Sequence, residues 1–148
     1  MSNKTICLFD MIDSETQENR NQEMKAIMEF CKIKNCEFTK LPKYELDFLM
    51  HRNGKGLAFA EVKCRTHCFS DFDTQIMSFI KLSKMIECAK WLPCYFICRY
   101  TDGIYYIELS KIPLDNIRIG GHNNPRPERP NDVEWLIHFD RKLMSKLS

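Results

Sequence analysis

The chain has 148 residues, 44% of them apolar and 28% charged, with a formal net charge of +2, a mix that fits one globular domain spanning 1–148. No apolar run is long enough to cross a membrane, and the opening MSNKTICLFDMIDSE lacks the cleavage site of a signal peptide, so a cytoplasmic protein is expected. The eight cysteines, most beside apolar neighbours, read as small buried hydrophobes and not as a disulfide framework.

Ser14-Glu-Thr-Gln17 has the spacing of a capping box and predicts a helix over about 15–34. Ala26, Ile27, Phe30 and Ile33 form its apolar side, with Met24, Met28 and Cys31 adjoining. Asn35 is the expected stop, and Pro42 falls in the following loop. The stretch from Glu45 to Arg65, ELDFLMHRNGKGLAFAEVKCR, predicts a β-hairpin turning at Asn53-Gly54-Lys55-Gly56. A second helix is expected over about 71–91, with Ile76, Phe79, Ile80, Ser83, Ile86 and Ala89 as its buried stripe. Tyr95–Tyr100 and Ile104–Leu109 read as a second hairpin around Thr101-Asp-Gly103. Residues 113–132, rich in Gly, Pro, Asn and Arg, read as a loop-rich arm, and 133–148 as a C-terminal extension with a short strand and a terminal helix. The order α-β-β-α-β-β predicts an α/β fold with a central mixed sheet of four to five strands flanked by helices.

The charges of the first hairpin carry the chemistry. Side chains alternate along a strand, so Leu57, Phe59, Glu61 and Lys63 share one face and Ala58, Ala60, Val62 and Cys64 the other. A two-residue turn at Asn53-Gly54 pairs Arg52 with Lys55 and sets Asp47 opposite Ala60. A three- or five-residue turn sets it opposite Glu61. Two facing carboxylates repel, and a divalent cation between them turns that repulsion into binding, since Mg²⁺ takes one or two carboxylates plus water and phosphate oxygens. Lys63, on the same face as Glu61, can hold a phosphate oxygen or position an attacking water. Together these groups suit metal-dependent hydrolysis of a phosphodiester. Cys64, His67 and Cys68 lie close in sequence but lack a distant ligand pair for structural zinc. The stretch 1–47 carries a net −2 and 48–148 a net +4, and a basic excess is compatible with a polyanionic partner.

Asp47, a hairpin and then Glu61-Val62-Lys63 resembles the PD-(D/E)XK nuclease superfamily, whose members include restriction enzymes, archaeal-type Holliday junction resolvases, VRR-NUC domains and phage nucleases. The resemblance covers about residues 15–110, with Leu46 where many members carry proline. It implies a restriction-endonuclease-like fold and a Mg²⁺-dependent deoxyribonuclease in which Mn²⁺ substitutes. The metal would be held by Asp47, Glu61 and the Val62 carbonyl, beside a catalytic Lys63. It also implies a supporting glutamate on the first helix and a glutamine on the second. Of Glu18, Glu23 and Glu29, only Glu23 begins the buried stripe at spacings of three, four and seven. Gln75 starts an otherwise apolar row. Arg65, His67, Lys81, Lys84, Arg126 and Arg129 are candidates for the nucleic-acid backbone. The expected partners are DNA, bound by shape at a junction, branch or end, and a second copy of the chain. No organic cofactor is expected. The rival reading is a non-catalytic DNA-binding or assembly protein that kept the nuclease fold.

Overall fold

The computed structural model describes residues 3–42, 45–122 and 135–148. Helix α1 spans Asn3–Lys34, so it begins well before the predicted start near residue 15. No Pro or Gly interrupts 3–34, and the helix runs through the capping-box pattern without stopping there. It ends where expected. Asn35 adopts a left-handed φ of 56°, and the Cys36 N–H donates to the Cys31 carbonyl at 3.0 Å, the six-to-one closure of a Schellman motif. Ala26, Ile27, Phe30 and Cys31 face inward, while Met28 and Ile33 are exposed.

Six strands form the main sheet: β1 (Glu37–Lys40), β2 (Phe48–Arg52), β3 (Lys55–Cys64), β5 (Cys94–Tyr100), β6 (Gly103–Glu108) and β9 (Ser145–Lys146), in the order β1-β2-β3-β5-β6-β9. The β3–β5 pair is parallel and the others antiparallel. This exceeds the expected four to five strands because β1 and β9, too short to announce themselves by alternation, cap the two edges. A second sheet of three strands, β4 (Thr74–Ser78), β8 (Trp135–Asp140) and β7 (Arg118–His122), has the order β4-β8-β7.

The second sheet and the C-terminal strands correct three expectations. Residues 74–78 form a strand, and helix α2 is confined to Phe79–Cys88. Its buried residues are Leu82 and Met85, while Phe79, Ile80 and Ile86 of the anticipated stripe are exposed. The loop-rich arm contains β7. The C-terminal extension holds two strands joined by a short 3₁₀ turn, with no α-helix among its described residues. Arg126 and Arg129 lie outside the described residues. Among those described, no helix is long and apolar enough to cross a membrane.

The core has two parts, one on each side of the main sheet. On one side α1 packs Ala26, Ile27 and Phe30 against Phe48, Ala60, Val62 and Ile97. On the other, α2 and the second sheet pack Leu82, Met85, Ile137 and Phe139 against Leu46, Phe96 and Ile107. Strand β3 is therefore covered on both faces, as its two-sided apolar pattern predicts.

Candidate active site

The hairpin β2–β3 decides where the acids meet. Asn53 and Gly54 both have positive φ, 52° and 76°, the signature of a two-residue type I′ turn, and Arg52 pairs with Lys55. A regular ladder from that turn sets Asp47 opposite Ala60. The ladder is not regular, however. His51 pairs with Gly56 but Met50 with Ala58, leaving Leu57 as the extra residue of a bulge. Phe48 then pairs with Ala60, and one more step brings Asp47 opposite Glu61. The short turn and the facing carboxylates, alternatives in a bulge-free hairpin, thus coexist.

Asp47 is fixed from two sides. Its Oδ2 accepts a hydrogen bond from the Val62 N–H at 2.9 Å, and its Oδ1 lies 3.4 Å from the Lys40 ammonium. Glu61 is 7% exposed. Its Oε1 lies 3.5 Å from the Lys81 ammonium, while its buried Oε2 has no hydrogen-bond partner. Burial pushes the Glu61 carboxyl up to about 8, and the negative charges of Asp47 and then Glu23 add to the rise against the opposing pull of Lys81. Half-buried Glu23, on α1, is pushed up to about 7 by burial and then by Asp47, with Lys40, Lys63 and Lys81 pulling the other way. Three acids and three lysines therefore share one electrostatic neighbourhood.

Lys63 is exposed at the end of β3. It lines a cavity of about 150 Å³ together with Glu61, Arg65, Ser78 and Lys81. The arrangement tests whether a metal fits. Among the described residues, no three His, Cys, Asp or Glu side chains form a ready-made cage. The donors present are instead two carboxylates facing across a strand pair, one of them with a buried oxygen that nothing satisfies. An orphaned buried carboxylate oxygen is costly, and a hard divalent cation, which needs only one or two carboxylates beside water, is the partner that this donor set fits.

Asp47, Glu61, Lys63 and Glu23 are thus brought together, and Lys81 joins them. Sequence reasoning gave Lys81 only a phosphate-binding role and gave Lys40 none. Gln75 does not join them. It stands on β4, not on a helix, and it does not line the cavity. It is 3% exposed. Its Oε1 accepts from the Tyr100 hydroxyl, and its Nε2 donates to the Phe69 carbonyl at 3.5 Å. Arg65 lines the cavity, yet its guanidinium donates to the Ile76 carbonyl at 2.7 Å and so ties β3 to β4. Lys84 pairs with Glu45 at 3.3 Å. His67 packs edge-on against Phe72 and Tyr100, and Cys68 meets the Thr101 hydroxyl, so neither belongs to a zinc cluster among the described residues.

A family model described as phage putative PDDEXK endonuclease matches residues 12–147. Among solved structures, Hjc of Archaeoglobus fulgidus, a Holliday junction resolvase from an archaeal hyperthermophile, aligns with a TM-score of 0.55 over 85% of this chain and 86% of that one, at 11% identity. That likeness shows the fold, which is restriction-endonuclease-like. No curated protein matches the sequence.

Proposed function

Since the chain belongs to the phage putative PDDEXK endonuclease family and is therefore a nuclease, we propose that residues 1–148 act as one domain that hydrolyses DNA phosphodiester bonds with Mg²⁺ at Asp47 and Glu61. One observation carries the reading: Glu61 is buried against a second carboxylate with one oxygen unpartnered. A fold has no structural reason to keep such a pair, because burying like charges together costs free energy that an apolar pair would not.

Asp47 and Glu61 supply the carboxylates. The Val62 N–H points to Asp47. In an extended strand the carbonyl of a residue leaves on the same edge as its N–H, so the Val62 carbonyl is the third donor. Glu23, half-buried near both acids, holds a proton or a water of the site according to pH. Lys63 offers its ammonium to a phosphate oxygen or to the attacking water, where it offsets the charge that builds during the reaction. When bound, the metal lowers the pKa of its water and neutralises negative charge on the phosphate.

The likeness to Hjc, itself a Holliday junction resolvase, supports a branched DNA as the substrate. The test is cleavage of branched, linear and single-stranded DNA with Mg²⁺ or Mn²⁺. Cleavage of a branched substrate, lost in Lys63→Ala with folding intact, is expected. No cleavage of any substrate, with no metal-dependent stabilisation, would leave a DNA-binding protein without the chemistry. Light scattering of the free protein and of its DNA complex decides between a monomer and the expected homodimer.

A further inference from the structure

The lysine that touches Glu61 stands where a helix does not favour one. Ser78 is the N-cap of α2, and its hydroxyl accepts from the Lys81 N–H at 3.4 Å. Lys81 is therefore the third residue of the helix. A capping box places Glu or Gln there, reaching back to the cap. The macrodipole also disfavours a cation in the first turn, and α2 carries no acid in that turn to compensate. The partner comes from another element: Glu61 Oε1, 3.5 Å from the ammonium. Lys81 is still partly open to solvent, with its side chain 37% exposed. It lines the same small cavity as Glu61 and Lys63.

We propose that Lys81 is the resident counter-ion of Glu61, competing with the divalent metal for that carboxylate and becoming available to the anionic substrate when the metal takes its place. This rests on the metal reading of Asp47 and Glu61. A cation on a flexible four-carbon stem at the mouth of a cavity can leave one oxygen and meet another nearby. The competition is local, because Lys81 contacts Oε1 only and leaves Oε2 unpartnered. Lys81 is thus a positioning residue: it acts through Glu61 before substrate arrives.

The two other lysines near the acids do not share this role. Lys40 sits on Asp47 from β1, and its ammonium also lies 4.9 Å from the centre of the Phe48 ring. Lys63 makes no ion pair with Glu61. Removing the Lys81 charge should therefore strengthen metal binding, the opposite of what losing a catalytic or structural group would do.

The test is calorimetric titration of the full chain with Mn²⁺, without DNA. Lys81→Met and Lys81→Gln, each checked for folding by circular dichroism, are expected to bind Mn²⁺ about tenfold more tightly than the wild type, the equivalent of about 1.4 kcal/mol. Lys81→Arg keeps the charge and should stay within about twofold of wild type. Lys84→Met, whose ammonium belongs to Glu45, should not change. On a cleavable substrate with metal saturating, the two neutral variants should show a raised KM despite the tighter metal site. Unchanged or weaker Mn²⁺ affinity in both neutral variants overturns the role of Lys81 while leaving the metal site standing. Absence of Mn²⁺ binding in the wild type overturns both.

Discussion

Replacing Glu61 with Gln should stabilise the metal-free protein in alkali and leave it nearly unchanged in acid. Folded Glu61 holds its proton up to about 8, against 4.5 for an ordinary glutamate. The unfolded chain releases that proton earlier, so across this window it binds fewer protons than the native state, and stability falls as pH rises. The contribution is fully present below pH 4.5 and fully lost above about 8. Each pH unit is worth about 1.4 kcal/mol, so the interval from 4.5 to about 8 bounds the loss at about 5 kcal/mol. Relaxation and water entry at a buried charge reduce it, and about half is the expected outcome. For a chain of this length that moves the melting temperature by about 7 °C. Glutamine imitates the protonated carboxyl and removes the slope. Melting curves in EDTA should nearly coincide for the two proteins at about pH 5 and separate in favour of Glu61→Gln at about pH 9. Parallel curves across the whole range would refute the claim that this carboxyl is buried without adequate compensation.

Three other outcomes follow from the same geometry. Asp47→Asn keeps an oxygen for the Val62 N–H and should fold within about 1 kcal/mol of wild type, while cleavage falls by at least about a hundredfold, read in parallel melting and nuclease assays. Metal binding should release protons near neutral pH, because Glu23 and Glu61 are held up to about 7 and about 8; calorimetry in buffers of different ionisation enthalpy counts them, and cleavage should rise with pH through the same interval. Tyr100→Phe leaves the buried Gln75 Oε1 without its donor, at a cost of about 1–3 kcal/mol in urea unfolding, yet should preserve kcat at low temperature because Gln75 does not line the cavity.

The hairpin was legible in part. The residues that the turn and the acids require are all visible, but the register is not, because it depends on a bulge. Leu57 sits in an unbroken alternation of small and large apolar residues, and nothing local says that it is the one left unpaired. Turn length alone therefore does not set the register. The turn fixes the ladder at Arg52 and Lys55, while the packing of Met50, Ala58 and Phe48 beneath α1 fixes it at the other end. The bulge absorbs the difference of one residue, and that residue brings Asp47 level with Glu61.

The second half of the site was hidden by a different kind of distance. Thr74-Gln-Ile-Met-Ser78 becomes a strand because β8, some sixty residues later, pairs with it from Thr74↔Asp140 to Ser78↔Leu136. Without that partner, an apolar pattern running into Phe79-Ile80 reads as one longer helix. The error had a chemical consequence. Starting the helix near 71 places Lys81 in its middle, an unremarkable solvated position. Starting it after Ser78 makes Lys81 the third residue of a first turn, where a lysine opposes both the capping box and the macrodipole. Local rules are broken mainly where function requires it. Glu61 in a strand covered on both faces is one such break, and Lys81 three residues after an N-cap is its complement on the facing element. Each alone is an oddity of composition. The 3.5 Å between them makes them one feature, and it can be read only once the strand that delivers Ser78 to the cavity has been found.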